Sequence, residues 1–265
     1  MLDSFGREIS YLRVSVTDRC NLRCRYCMPA SGVTLLRHSD ILSYEQLAEV
    51  VRAAASLGFR KVRLTGGEPL ARKGLPDLVS LLAEIPGIRT LAMTTNGTLL
   101  APLARELKDR GLDSVNISLD TLDPERYRWI TRGGVLQDAL DGIRAAIAAG
   151  LPVKLNVVAL EDSTEAEIDG IRAFAAGLGA RVQTIARYNL ADEKTDGGEY
   201  DRPPPCAGCN RLRLLANGIL RPCLHGSWGL PVDFSDIRGS IERAILTKPE
   251  RGLACEDLEV GQIGG

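Results

Sequence analysis

The stretch LRVSVTDRCNLRCRYC, residues 12–27, decides the fold class of this chain. Its first five residues, LRVSV, form an apolar run that is typical of a buried strand. Three cysteines follow at the spacing C-x3-C-x2-C, and thiolates this close together must converge on one centre. Cys20, Cys24 and Cys27 can bind three irons of a cubane [4Fe–4S] cluster, which leaves the fourth iron open for small-molecule chemistry.

A structural zinc site and chance clustering are the alternatives for these cysteines. A closed zinc site needs four ligands, and the only further Cys or His nearby is His38, eleven residues after Cys27. Disulfides are disfavoured because three is an odd number and nothing in the sequence marks the chain as secreted. The sequence therefore favours an iron–sulfur cluster.

The bulk composition argues against two kinds of partner. The chain has 265 residues and a formal net charge of −1, from 33 basic and 34 acidic residues. With this balance the protein as a whole does not attract nucleic acid or an anionic membrane electrostatically, so any anion site must be formed by a local group of basic residues. No apolar run approaches the ~18 residues of a membrane span. We expect a cytoplasmic protein whose seven cysteines stay reduced.

Strand-like and helix-like segments alternate from residue 12 to residue 186. Strands rich in β-branched residues are predicted at 12–17, 61–65, 90–95, 114–119, 153–158 and 181–186. The first helix begins at a capping box of Ser43 and Gln46 and ends at Gly58. Further helices are predicted at 75–83, 103–110, 136–149 and 165–176. Helices between successive strands imply right-handed crossovers and a parallel sheet.

Six such units are too few for an eight-stranded barrel. We therefore predict an α/β fold with a partial (β/α)6 TIM-type barrel, and a flat doubly wound sheet is the alternative. The barrel is assigned to residues 1–188. Residues 189–205 are polar, end in three prolines and are predicted to be a linker. Residues 206–265 form a cysteine-bearing C-terminal extension that is predicted to bind an iron–sulfur cluster.

Polar residues follow the predicted strands, at the edge where parallel α/β folds place their working groups. Gly66 and Gly67 let the backbone approach a ligand, and Glu68 can receive an ammonium group. Hydroxyl and amide groups after the next two strands suit a ribose or an amino acid. An ordinary turn at Gly66–Gly67 and helix capping by Asn96 or Asp120 are equally good explanations for each motif taken alone.

A second cysteine set, Cys206, Cys209 and Cys223, also has a spacing that suits a metal. Structural zinc, an iron–sulfur cluster and coincidence are all possible interpretations of it. A zinc site would need a fourth ligand, for which Cys255 or His225 could serve. A core thiol that binds no metal is the favoured interpretation of Cys255.

Several motifs together resemble one family. The C-x3-C-x2-C loop and GGEP are similar to the radical S-adenosylmethionine (SAM) superfamily. A longer set of sequence motifs resembles the family of molybdenum-cofactor biosynthesis protein A, the GTP 3′,8-cyclases. The likeness covers most of residues 5–160, resumes at CAGCNRLRL (206–214) and ends at IGG (263–265). Its motifs are FGR (5–7), LRVSVTDRCN (12–21), YCMP (26–29), RLTGGEPL (63–70), TTNG (94–97) and NISLDTL (116–122).

The resemblance implies two [4Fe–4S] clusters and SAM as cofactors. The cluster on the first cysteine set would split SAM into methionine and a 5′-deoxyadenosyl radical. That radical would take the 3′ hydrogen of GTP, and the ribose carbon would close onto guanine C8. The residues implied to hold SAM are Tyr26, Gly66, Gly67, Glu68, Thr95, Asn96 and Ser118.

The resemblance also assigns substrate residues. GTP carries about four negative charges, so a neutral protein must concentrate cations locally. Triphosphate contacts are implied at Arg13, Lys61, Arg63 and Lys154, and Arg211 and Arg213 are placed beside a second cluster that faces the purine. The terminal Gly264-Gly265 is implied to enter the active site. Arg13, Arg211, Arg213, Gly264 and Gly265 are thus the expected catalytic residues.

The chain departs from this family in its C-terminal half. Some twenty residues separate Ala186 from Cys206, where the family has a longer segment. Gln183 stands where the family pattern has an arginine, and Tyr188 stands near the position of a methionine. A two-cluster paralogue acting on another nucleotide, a pterin or a peptide is therefore an alternative. An iron–sulfur electron carrier or a zinc-stabilised binding module is the non-enzymatic alternative.

The implied partners follow from this chemistry. A radical SAM enzyme needs a reductant such as flavodoxin or ferredoxin, and its product would pass to a pterin-forming enzyme. The sequence predicts neither the oligomeric state nor the fourth ligand of the second cluster.

Overall fold

The computed structural model describes residues 1–187, 190–192, 194, 196 and 205–255 of the chain. Its strands are β1 Tyr11–Ser15, β2 Lys61–Thr65, β3 Thr90–Thr95, β4 Ser114–Ser118, β5 Val153–Ala159, β6 Arg181–Ala186, β7 Arg211–Leu214, β8 Ile219–Arg221 and β9 Leu230–Pro231. Its helices are α1 Tyr44–Ser56, α2 Leu75–Ala83, α3 Ala104–Asp109, α4 Pro124–Thr131, α5 Leu136–Ala148, α6 Glu165–Gly177 and α7 Ile237–Leu246. Every predicted strand and helix is present, with bounds that differ by two residues or fewer.

The strand order identifies the type of α/β fold. Strands β1 to β6 are parallel and neighbour one another in chain order, and the whole sheet runs β6-β5-β4-β3-β2-β1-β7-β8-β9. A doubly wound sheet would divide the six predicted strands between two sides of β1, whereas here all of them follow one another in the same direction, so the alternative prediction is wrong. Because β6 and β9 are the two edges of the sheet, the barrel is open. The prediction of an α/β fold with a partial barrel is confirmed.

Local signals explain where the helices begin. The predicted capping box is present, since Ser43 Oγ accepts from Gln46 N while Gln46 Oε1 accepts from Ser43 N. Helices α4 and α7 were not among the predicted elements. Both begin at an aspartate cap: Asp123 Oδ1 accepts from Arg126 N, and Asp236 Oδ1 accepts from Gly239 N.

Alternate residues of each strand face different environments. Leu12 and Val14 of β1 are fully buried in the main apolar core, which the helices cover. The intervening residues Tyr11, Arg13 and Ser15 point to the opposite side, because successive strand side chains alternate. On β2 to β5 the same alternation sends apolar side chains to the helices and mostly polar or charged ones to the interior, where Ala92 and Val158 are the apolar exceptions. The interior of the open barrel is therefore polar.

The C-terminal region continues the sheet of the barrel. β7 pairs in parallel with β1, and β7, β8 and β9 then form an antiparallel ribbon. Most of the predicted linker lies outside the described residues, so the division at 188 and 205 stays a prediction. Cys209 precedes β7 while Cys20 follows β1, and the two strands are parallel. The two cysteine sets therefore lie at opposite ends of these strands, roughly 17 Å apart for a five-residue strand.

Candidate active site between the two cysteine sets

The first cysteine set lies at the carboxyl end of the sheet, in the loop after β1. We call residues 16–28 the cysteine loop. All three cysteines line one cavity of about 1030 Å³, counting its open mouth. The predicted SAM-binding residues line the same cavity: Tyr26, Gly66, Gly67, Glu68, Thr95, Asn96 and Ser118. The structure thus brings together all the residues that the sequence assigned to this group.

The glycines after β2 bring two backbone segments into direct contact. Gly67 N donates to Thr17 O at 2.8 Å, and Glu68 N donates to Arg19 O at 2.8 Å. A Cβ on Gly66 would lie 2.4 Å from Thr17 O, and a Cβ on Gly67 would lie 2.4 Å from Arg19 O. The sequence predicted these glycines for contact with a ligand. The structure adds that they position the cysteine loop itself.

Glu68 is buried and held at both carboxylate oxygens. Oε1 accepts from Thr95 Oγ1 at 2.7 Å and from Leu70 N at 3.1 Å, and Oε2 accepts from Asn96 N at 2.7 Å. Burial raises the pKa of Glu68 to about 7, although these hydrogen bonds oppose the rise. An ammonium group beside this carboxylate would stabilise its charged form, so the site suits a cationic ligand.

Tyr26 fixes the other side of the cysteine loop to β4. Its hydroxyl donates to Asp120 Oδ2 at 2.8 Å, and Asp120 Oδ1 accepts from Val158 N at 2.8 Å. Burial raises the pKa of Asp120 to about 6 and raises that of Tyr26 well above its usual value. Asp120 was considered as a helix cap on sequence grounds. In the structure it joins the cysteine loop to two strands.

Arg132 holds the cysteine loop against α4 and was not found from the sequence. It is the one non-glycine residue with a positive φ (54°) in the described part of the chain. Its Nη1 donates to Arg23 O at 2.7 Å and to Met28 O at 2.8 Å, on both sides of Cys24 and Cys27. The residue with this unusual backbone conformation, Arg132, therefore also helps to position the thiols of Cys24 and Cys27.

The thiols of the first cysteine set lie where a positively charged group would stabilise their deprotonated form. Burial raises the pKa of Cys20 and Cys24, and at Cys24 the negative charges of Asp120, Cys27 and Cys20 add to the effect. The irons of a cluster would supply the positive charge that buried thiolates need. Among the described residues, no three Cys, His, Asp or Glu side chains are arranged to hold a single metal ion. In a cubane cluster each thiolate binds a different iron, so its ligands spread around the cluster.

Two rows of side chains run across β2, β1 and β7 on the side of the sheet that faces the interior of the open barrel, and we call them the cation rows. Strand register places Lys61, Tyr11 and Arg211 side by side in the first row. It places Arg63, Arg13 and Arg213 side by side in the second. Five of these six positions are basic, as the sequence predicted. The exception is Tyr11, which lay just outside the predicted strand.

Lys154 lies on β5, three strands farther along the sheet than Arg63 on β2, and has a neutral partner. Its Nζ donates to Gln183 Oε1 at 2.8 Å. Nearby, Asn116 Nδ2 donates to Asn156 Oδ1 at 3.3 Å. The side of the interior formed by β4 to β6 is therefore richer in amides than the side formed by β1, β2 and β7.

The second cysteine set lines a separate pocket at the start of β7. Cys206, Cys209 and Cys223 share it with Arg211, Arg213, His225 and Lys248. Two buried cations support its backbone: Arg7 Nη1 donates to Cys206 O at 3.0 Å, and Lys248 Nζ donates to Arg211 O at 2.9 Å. This pocket connects the second cysteine set to the cation rows through Arg211 and Arg213.

Cys255 lies in a different environment from the second cysteine set. It is buried with Leu190 and Leu215 in a small apolar cluster, and its Sγ accepts from Arg221 Nη2 at 3.4 Å. His225, the other candidate for a fourth ligand, lines the pocket. Tyr188, Gly264 and Gly265 lie outside the described residues, so the expected entry of the tail into the active site stays a prediction.

The chain belongs to the radical SAM superfamily, whose profile matches residues 14–175. Two curated relatives, both named GTP 3′,8-cyclase, identify the family of this chain within the superfamily. That of Pelotomaculum thermopropionicum is 42% identical over 327 aligned positions, and that of Moorella thermoacetica is 40% identical over 326. Both alignments cover 100% of each chain. Within the superfamily the chain is therefore a member of the GTP 3′,8-cyclase family.

Family membership confirms the predicted cofactors, SAM and [4Fe–4S] clusters. It also confirms that the chain is shortened. The alignment with the Pelotomaculum protein spans 327 positions and the chain has 265 residues, so at least 62 positions have no counterpart in this chain. Among the described residues, none of the helices is long and apolar enough to span a membrane.

Solved structures support the fold. SuiB of Streptococcus suis, bound to S-adenosylmethionine, matches with a TM-score of 0.69 at 14% identity, over 92% of this chain and 64% of SuiB. The protein anSMEcpe, with bound AdoMet, matches with a TM-score of 0.65 at 14% identity, over 91% of this chain and 81% of anSMEcpe. At this identity the likeness concerns the fold alone.

Proposed function

We propose that this protein is a GTP 3′,8-cyclase of molybdenum-cofactor biosynthesis, with GTP bound between the two cysteine sets. The cation rows carry the proposal. They place five basic side chains in the polar interior, between two groups of thiols at opposite ends of β1 and β7. In a protein with almost no net charge, neighbouring cations repel one another. A polyanion bound beside the two proposed clusters would offset this repulsion.

We assign the residues as follows. Cys20, Cys24 and Cys27 hold the SAM-binding cluster, and Cys206, Cys209 and Cys223 hold the second one. Glu68 receives the amino group of SAM, and the residues that support it there are Tyr26, Gly66, Gly67, Thr95, Asn96 and Ser118. Substrate contacts are assigned to Arg13, Lys61, Arg63, Lys154, Arg211 and Arg213. Gly264 and Gly265 are assigned to the active site on the family resemblance alone.

Cys20, Cys24 and Cys27 would hold a [4Fe–4S] cluster, which in its reduced form would supply the electron for cleavage of SAM into methionine and a 5′-deoxyadenosyl radical. The protein side chains would orient the 3′ hydrogen of the ribose towards that radical and limit the access of water to it. Loss of this hydrogen leaves C3′ able to bond to guanine C8. One further electron and one proton then complete the product, so each turnover uses two electrons.

Partners and location follow from this chemistry. We propose a flavodoxin or a ferredoxin as the reductant and a pterin-forming enzyme as the consumer of the product. A cytoplasmic location is consistent with the cysteines of the described chain, none of which forms a disulfide.

The dependence of 5′-deoxyadenosine formation on nucleotide tests the proposal. Anaerobically reconstituted, reduced protein is expected to form 5′-deoxyadenosine and methionine together with a cyclised guanine nucleotide when GTP is added. Liquid chromatography with mass spectrometry measures all three. Equal stimulation by ATP, or turnover that ignores GTP, would favour the paralogue acting on another substrate. A reduced protein that never forms 5′-deoxyadenosine would favour an electron carrier.

A further inference from the structure

Tyr11 occupies a position that the proposed function leaves unexplained. It is buried in the middle of the first cation row, with Lys61 on one side and Arg211 on the other. The Lys61 Nζ lies 5.0 Å from the centre of its ring, and the Arg211 guanidinium carbon lies 5.9 Å from it. No carboxylate of the described residues forms a salt bridge with Lys61 or Arg211. An aromatic ring therefore lies between two cations that project from the strands on either side of β1.

The hydroxyl of Tyr11 reaches across to the second row. It accepts a hydrogen bond from Arg63 Nε at 2.7 Å, in a buried environment. Arg63 Nη1 also donates to Met93 O at 3.0 Å and to Thr94 Oγ1 at 3.3 Å. A planar guanidinium that is held at both Nε and Nη1 has one orientation, and Tyr11 supplies the bond on one of its two sides.

We propose that Tyr11 is a positioning residue for substrate binding, which holds the Arg63 guanidinium in the orientation that receives the phosphate chain of the nucleotide. The inference rests on the proposed function and deepens it. Its physical basis is preorganisation: a fixed guanidinium loses less entropy when it binds an anion than one that moves. Tyr11 acts through Arg63, so its loss should weaken substrate binding and leave the chemistry of SAM cleavage intact.

The charges around Tyr11 predict how this role depends on pH. The charged groups that face it are all cations, from every strand packed against it: Arg13 on β1, Lys61 and Arg63 on β2, and Arg211 on β7. Burial alone would raise the pKa of Tyr11, but Arg13, Arg63 and Lys61 outweigh it and lower the pKa to about 8. A phenolate would repel the phosphate chain. The affinity for GTP should therefore fall as pH rises through about 8.

The test compares wild-type holoenzyme with the variant Tyr11→Phe between pH 7 and pH 9. The variant is expected to raise KM for GTP about tenfold, since it removes one buried hydrogen bond to a charged group. Its kcat at saturating GTP should change little. Wild-type KM should rise above pH 8, and this rise should be absent in Tyr11→Phe.

Tyr44→Phe is the matched control. The Tyr44 hydroxyl likewise makes one hydrogen bond, which it donates to Lys73 O at 2.8 Å, and the Arg72 guanidinium carbon lies 4.2 Å from its ring centre. Tyr44 lies on α1, away from the interior. This variant is expected to keep the wild-type KM at every pH.

Two results would overturn the role of Tyr11. One is an unchanged KM for GTP in Tyr11→Phe, and the other is a wild-type KM that stays flat from pH 7 to pH 9. The second measurement needs no variant, so a folding defect does not obscure it. A wild-type enzyme whose turnover ignores GTP would overturn the proposed function together with this inference, whereas the other two results leave the function standing.

Discussion

Replacing Gly67 with alanine is expected to lower SAM cleavage at least about a hundredfold while the protein still folds. The added Cβ would lie 2.4 Å from Arg19 O and 2.9 Å from Asp18 O, both in the cysteine loop. These are backbone atoms, so the loop must move as a unit and the 2.8 Å hydrogen bond from Glu68 N to Arg19 O is lost. A displacement of about 1 Å at a reacting centre costs on the order of a hundredfold in rate.

The measurement is the rate of 5′-deoxyadenosine formation in reduced protein, together with the melting temperature. Gly170→Ala is the matched control, because Gly170 lies in α6 and an added Cβ there meets nothing within 4 Å. The control should keep full activity and be slightly more stable, since alanine is the better helix former. Equal activity in the two variants would show that contact between the GGEP loop and the cysteine loop does not position the first cluster.

Replacing Cys223 with serine should separate SAM cleavage from cyclisation. The variant is expected to hold about four irons per chain, against about eight in the wild type, because a serine hydroxyl is a poor ligand for iron. Slow 5′-deoxyadenosine formation should persist, since the first cysteine set is at the other end of β1. Formation of the cyclised nucleotide should fall by at least about a hundredfold, because the proposed ligands of the second cluster share a pocket with the substrate-binding candidates Arg211 and Arg213.

Cys255→Ala is the control for this experiment. Cys255 is as buried as a core residue but lies with Leu190 and Leu215 outside the pocket of the second cysteine set. Its replacement should leave the iron content and the cyclised product unchanged, at a cost of about 1 kcal/mol in stability. Loss of iron from Cys255→Ala would identify Cys255 as a ligand. An iron content of about four per chain in the wild type would show that the protein holds one [4Fe–4S] cluster and would contradict the assignment of a second cluster.

The residues that sequence reasoning found share a simple geometric property. Except for the second cysteine set, each lies at the carboxyl end of a parallel strand or alternates along one, so strand order brings it to the interior side of the sheet. The first cysteine set, Gly66, Glu68 and Ser118 lie at carboxyl ends and line one cavity. Lys61, Arg63 and Arg13 follow the same rule, because alternation sends them to the polar side of the sheet.

The residues that were missed act through contacts between distant segments. Arg132 binds carbonyls more than 100 residues away in sequence, and its positive φ leaves no mark in the sequence. Tyr11 gains its position from the pairing of β1 with β7, which no local pattern predicts. Helices α4 and α7 are a different case. Their aspartate caps are readable signals, and a search for caps alone would have found them.

The most direct test of the account is the fate of the 3′ hydrogen of GTP. Reduced enzyme is supplied with SAM and with GTP deuterated at C3′, and 5′-deoxyadenosine is analysed by mass spectrometry. The account predicts deuterium in the 5′-deoxyadenosine and a cyclised nucleotide that has lost it. Unlabelled 5′-deoxyadenosine formed while the GTP keeps its deuterium would contradict the assignment of GTP as the molecule held between the two cysteine sets.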